Sequence, residues 1–315
     1  MARLARYSWI VLVYNLAVIA WGAYVRATGS GAGCGAHWPL CNGEVVVRPQ
    51  SIEMLIEFSH RATSGLALIS VVVLFFWARR AAPVGHPVRL GAVLSLGFML
   101  SEAALGAGLV LFQLVAQDAS AARAFAVGAH LLNTFLLLAA LTLTVHWASG
   151  RPAVTLERIP GLGRYGVGAA ALLLVSVAGA ITALGDTLFP SGTLAEGLQA
   201  DLSSTSHFLI RLRTIHPVLA VMVGLYLATA VWQMARGSEL ARSHARAVTW
   251  FIVVQLIAGA LNVVLLAPVW LQLVHLLLAD AIWIAYVFLG AEVCAAPAVA
   301  TEPGLPGQWA LDNRR

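Results

Sequence analysis

The sequence predicts an all-α membrane protein of eight transmembrane helices, arranged as two pseudo-symmetric four-helix bundles. Three observations predict it. Of 315 residues, 60% are hydrophobic and only 10% are charged, whereas a soluble domain carries about 25% charged residues. The apolar residues gather into eight runs long enough to cross a bilayer. Short motifs in the first four runs return in the last four.

A spanning helix needs about 20 apolar residues. The runs cover 8–25, 62–78, 90–116, 124–147, 166–184, 214–235, 247–267 and 270–293. The first has no small-residue cleavage site behind a short core, so it reads as a span and not as a signal peptide. No Arg/Ser-rich transit segment precedes it, and the expected location is a bacterial plasma membrane. The last two runs are split by Ala267, Pro268 and Val269, and proline there permits a tight reversal.

The net charge of +5 comes from arginine alone, since the chain has no lysine. The arginines sit at span ends and not in a stripe, so lipid and not nucleic acid is the expected partner. Arginine placement sets orientation. With a cytoplasmic N-terminus, thirteen arginines fall inside: residues 3, 6, 79, 80, 89, 151, 158, 164, 236, 242, 246, 314 and 315. Six fall outside: Arg26, Arg48, Arg61, Arg123, Arg211 and Arg213. Both termini are therefore expected in the cytoplasm.

The repeat divides the chain into a first half (1–147), a cytoplasmic linker (148–165), a second half (166–293) and a cytoplasmic tail (294–315). The tail is rich in Pro and Gly and reads as disordered. Glu102-Ala-Ala-Leu-Gly106 before a short outer loop, followed by His130, matches Gln255-Leu-Ile-Ala-Gly259 followed by His275. Gly22-Ala23 matches Gly179-Ala180, and His60 and His216 open the second and sixth spans. Four helices per half make the repeat parallel, with its axis along the membrane normal.

His60, His130, His216 and His275 each lie near the start of an even-numbered span, close to the outer face, one pair per half. Of the other histidines, 86 and 244 fall in inner loops, 146 at an inner helix end, and 37 and 207 in outer loops. Histidine inside a membrane is costly and faces the bundle interior with a partner. Packing hydrogen bonds are the bland account for one such residue; four at equal depth point to a ligand. Zinc wants three or four protein ligands. Two imidazoles on facing helices suit the two axial positions of a haem iron. Arg61, Arg211 and Arg213 lie where outward propionates would end, although arginines there also snorkel to headgroups.

The first outer loop holds Cys34 and Cys41, and two cysteines on an oxidising face suggest a disulfide. Cys294, near the inner end of the last span, reads as a buried apolar residue. Glu57, three residues before His60, shares its helical face. Its alternatives are a catalytic carboxylate beside a ligand, an interfacial anchor, or a partner for Arg61. For Glu102 and Asp280 the expectation is a helix-to-helix hydrogen bond or an arginine partner.

Together these residues resemble the haem A synthase family, membrane enzymes that convert haem O to haem A for terminal oxidases. The resemblance runs from about residue 8 to 293. It rests on Arg26-x-Thr-Gly-Ser-Gly, Trp38-Pro39-Leu40-Cys41-x-Gly43, Glu57-Phe-Ser-His60-Arg61, His130-Leu-Leu-Asn-Thr134, Gln255 with Gly259 and Asn262, and His275-Leu-Leu-Leu-Ala-Asp280. It implies that His60 and His130 face substrate haem O, and that His216 and His275 ligate a haem B cofactor. It also implies that Cys34 and Cys41 are the family's outer-loop pair and that Glu57 is its important carboxylate. Gly35-Ala36-His37 departs from the family's Pro-Asp stretch, and no second cysteine pair stands between the fifth and sixth spans. The implied reaction oxidises a haem methyl to a formyl group, by two hydroxylations or by electron removal and capture by water. The implied partners are a haem O synthase and an electron donor, and a homo-oligomer is compatible with the sequence. The alternative is a di-haem b-type electron-transfer protein, which would place histidines at both faces. A transporter would carry broken helices and mid-membrane charges, and the sequence has few of either.

Overall fold

The computed structural model describes residues 1–45, 47–154 and 162–295. Arg158, Arg314, Arg315 and the tail from residue 296 onward lie outside them, as does the middle of the expected linker, residues 155–161. Ten α-helices run in order: α1 Ala2–Ala27, α2 Ile52–Ala81, α3 Pro87–Leu111, α4 Ala121–Ala148, α5 Leu162–Leu188, α6 Leu194–Leu202, α7 Phe208–Leu212, α8 Ile215–Met234, α9 Glu239–Val264 and α10 Val269–Val293. Eight spans result, with α7 and α8 forming one span broken just before His216.

The spanning helices are 25 to 30 residues long, hence roughly 38–45 Å, against a hydrocarbon core of about 30 Å. They therefore begin and end beyond the apolar runs that reveal them. α2 starts at Ile52, ten residues before its apolar run, so His60 lies about two turns inside the helix and does not open it. His244, expected in a loop, lies inside α9 for the same reason. Caps set these starts. Ser51, Ser120 and Ser238 accept from the backbone N–H groups of Met54, Arg123 and Ala241, which satisfies donors a helix start leaves open.

α1 to α4 pack as one ring, and α5, α8, α9 and α10 as another. The rings meet where α4 and α1 face α5 and α10. There the Trp283 indole donates to the Phe135 carbonyl at 2.7 Å. Facing outward are side chains such as Ile10, Leu66, Phe76, Leu225 and Trp250, as lipid requires.

α3 and α9 end alike. Leu114 N–H donates to the Leu109 carbonyl and Gln113 N–H to Val110; Ala267 N–H donates to Asn262 and Leu266 N–H to Val263. Gln113 (φ 57°) and Leu266 (φ 58°) hold the left-handed position. This is the Schellman pairing, and it produces the tight reversal expected at Pro268, which caps α10.

α6 was not foreseen. It lies in the stretch read as plain outer loop. Thr193 and Glu196 form a capping box at its start, and the Thr-Leu-Ala-Glu sequence is the signal for one.

Candidate functional site

Each of the four histidines rests against a glycine of the helix before it. A Cβ on Gly22 would lie 2.8 Å from His60 Cε1, and one on Gly179 2.9 Å from His216 Cε1. For Gly259 and His275 the distance would be 3.2 Å, and for Gly106 and His130 3.9 Å. Carbon atoms pack at about 3.5–4.0 Å, so Gly22 and Gly179 exclude any larger residue while the ring stays in place, and Gly259 leaves it little room.

His216 and His275 face each other, with ring centroids 6.2 Å apart and planes at 83°. Two metal–imidazole bonds of about 2 Å each, plus the depth of two rings, span that distance. His60 lies within electrostatic reach of His130 and Arg61. Nδ1 of His60, His130 and His275 is buried without a hydrogen-bond partner among the described residues, while His216 Nδ1 meets the Val175 carbonyl at 3.1 Å. Among the described residues no three His, Cys, Asp or Glu side chains converge on a metal-ion position. The His216–His275 pair, set in its glycine cradles, fits the two axial positions of a haem better than a zinc cage.

Above His60 the first outer loop is clamped to α2. Cys34 and Cys41 are disulfide-bonded. Glu57, only 3% exposed, accepts from Cys34 N–H at 2.7 Å through Oε2 and from Arg61 Nε and Nη2 through Oε1. Arg61 Nη1 donates to the carbonyls of His37 and Leu40. Gly33 packs so close to Glu53 and Met54 that a Cβ would lie 2.5 Å from the Met54 nitrogen. Carboxylate, arginine and disulfide thus form one fastening, and Glu57 is the Arg61 partner that its spacing allowed. Between this loop and the α3–α4 turn lies a cavity of about 350 Å³, lined in part by Ala32, Gln113 and Asp118.

A sequence profile of the cytochrome oxidase assembly protein family (COX15-CtaA) matches residues 5–287. The chain belongs to this family. It is 29% identical over 265 residues to a protein named heme A synthase from Exiguobacterium sibiricum, covering 82% of this chain and 84% of that one. A heme A synthase from Halalkalibacterium halodurans is 39% identical over 135 residues, 43% of each chain. A Thermus thermophilus protein named protoheme IX farnesyltransferase is 51% identical over 313 residues, which is 98% of this chain. The chain spans about half, 51%, of that relative's length.

In this member of the family the remaining arginines divide. Arg211 is exposed, with no carboxylate in ion-pair range among the described residues. Arg213 is buried, 3.1 Å from Asp186 and 3.7 Å from Asp201, and donates to the Gly185 and Phe189 carbonyls. Burial raises the Asp201 carboxyl above its ordinary range, with Arg213 pulling the other way. Arg26 joins the two rings, donating to the Ala183 carbonyl, Thr187 and Gln272. Nothing local in its sequence indicates that reach. Glu102 bonds across to Asn133 and Thr134 of α4, as expected. Asp280 corrects its expectation: it is fully buried, and neither oxygen has a hydrogen-bond partner among the described residues. Cys294 is buried, as read.

Proposed function

We propose that this chain is a haem A synthase, oxidising one methyl group of haem O to a formyl group. The observation that carries the reading is the Gly–His arrangement repeated four times, as two histidine pairs, in a chain of the cytochrome oxidase assembly family. The heme A synthase name of the Exiguobacterium relative, matched over most of both chains, supports it. The Thermus name points to prenyl transfer, but this chain spans half of that protein. This half of the Thermus protein matches a chain of the cytochrome oxidase assembly family, so prenyl transfer is left to the part beyond the match.

In this reading His60 and His130, in 1–147, hold substrate haem O. His216 and His275, in 166–293, hold haem B. A haem held by two histidines supplies one-electron transfer without an open iron position. Glu57 is held one turn from His60, where it accepts a proton from, or balances positive charge at, the reacting carbon. Arg61 fixes the loop over this site, exposed Arg211 is placed to meet a propionate, and Arg213 steadies the α7–α8 break. The histidine end faces outward, with both termini in the cytoplasm of a bacterial plasma membrane. The partner is a haem O synthase, consistent with the doubled length of the Thermus relative, and a separate donor supplies electrons.

Two incubations test the reading against prenyl transfer. Membranes containing this chain are given haem O, or haem B with farnesyl diphosphate and Mg²⁺. Haem A from the first and no haem O from the second is the expected pattern. The reverse pattern would replace the proposed activity with prenyl transfer.

A further inference from the structure

We propose that Glu102 is the positioning residue of His130, and that Gln255 at the matching place in the second half leaves His275 without an anionic partner. The two histidine pairs then bind iron with different strengths. The inference rests on the reading that both pairs are haem ligands.

The two places correspond. Glu102 stands four residues before Gly106, the glycine facing His130; Gln255 stands four residues before Gly259, the glycine facing His275. Both helices then end in the same Schellman turn. At one register the first half has a carboxylate and the second an amide of the same shape.

The carboxylate is held in place. Oε2 accepts from Asn133 Nδ2 at 2.6 Å, and Oε1 accepts from Thr134 Oγ1 at 2.5 Å. Asn133 is itself tied to the Phe98 carbonyl and to Ser101. From that position Oε1 lies 3.5 Å from His130 Nδ1, which has no hydrogen-bond partner among the described residues. The Glu102 side chain is 19% exposed, so water screens it weakly. A carboxylate beside Nδ1 selects the tautomer with its proton there and leaves the Nε2 lone pair for a metal. It also makes the imidazole a stronger donor.

The second half has only neutral partners. Gln255 Nε2 lies 3.2 Å from His275 Nε2, the ring nitrogen opposite to the one Glu102 faces on His130, and His275 Nδ1 is buried without a partner among the described residues. His216 Nδ1 meets a backbone carbonyl. The stronger donor in the first half favours ferric iron there, so its haem has the lower potential.

The test uses the full chain purified in detergent, titrated with ferric haem O and then poised electrochemically. Glu102→Gln is expected to weaken haem O binding about tenfold. It should also raise the midpoint potential of the added haem and leave the second haem's potential unchanged. A structural role would instead lower protein yield and disturb both haems. Glu102→Asp, which keeps the charge but draws it back from His130 Nδ1, is expected to shift the first haem's potential in the same direction by less, and it decides the matter if Glu102→Gln fails to accumulate. Unchanged affinity and potential in Glu102→Gln, or in Glu102→Asp where Glu102→Gln fails to accumulate, would overturn the inference while leaving the haem sites standing. If His130→Ala binds haem O as tightly as the wild type, the ligand assignment itself fails, and the inference with it.

Discussion

At the scale of single residues, the geometry separates side chains that hold the site from those placed to act in it. Glu57 does the first in plain view, and the proposed function gives it the second. Glu57→Gln keeps an oxygen for the Cys34 N–H but loses the charge facing Arg61. Acid–base and charge-stabilising groups contribute on the order of a hundredfold or more in rate. Haem A formed per folded molecule should fall by about that factor in Glu57→Gln, measured by chromatography of extracted haems. A loss under about threefold would leave Glu57 as a fastener only. The glycines make a sharper comparison. Gly179→Ala would press a methyl against His216 at 2.9 Å, whereas Gly106→Ala would stand 3.9 Å from His130. The low-spin haem B spectrum should weaken in Gly179→Ala, and haem O binding by the first pair should persist in Gly106→Ala. An unchanged haem B spectrum in Gly179→Ala would mean that the cradles are not fitted to the rings.

At the scale of elements, eight spans were legible because lipid forces long apolar runs, and composition alone reveals those. Their true ends were not, because caps such as Ser51 and Ser238 sit in polar sequence where the apolar signal has stopped. α6 escaped for the opposite reason: its nine residues are too few for a periodic signal, and only Thr193 and Glu196 mark it. The four histidines and the cysteine pair were legible by type and spacing. The contacts of Glu57 with Cys34, or of Glu102 with His130, depend on how a loop or a neighbouring helix folds back. The clamped loop carries its own expectation. Opening the Cys34–Cys41 bond should cost roughly 2–3 kcal/mol of loop stability. Cys34→Ser/Cys41→Ser should then raise proteolytic nicking within 30–50 without loss of the haem B spectrum. Unchanged nicking would mean that Glu57 and Arg61 hold the loop unaided.

At the scale of the whole molecule, two rings of four helices are joined by α4, α10 and a few polar ties. Arg26 is the most extended of these, reaching α5 and α10 from α1 with three hydrogen bonds. Removing it should lower stability by about 2–3 kcal/mol, seen as a lower melting temperature in detergent. Lysine should not restore it, because a point charge cannot make the forked contact. Such a tie joins positions more than 150 residues apart, which no local pattern could disclose. The arginine bias was legible, and the proposed orientation, with the histidine end outside, rests on it. Reporter fusions after Gly150 should therefore read as cytoplasmic and those within 186–206 as external. All of this serves one claim, that the paired histidines make a site for oxidising haem O. Co-expression with a haem O synthase, in a host that makes no haem A, tests it most directly through mass analysis of extracted haem. Wild-type chain should yield haem in which one oxygen has replaced two methyl hydrogens, and His60→Ala should yield haem O alone. Haem O unchanged by a folded, haem B-loaded wild-type chain would show that it is not a haem A synthase.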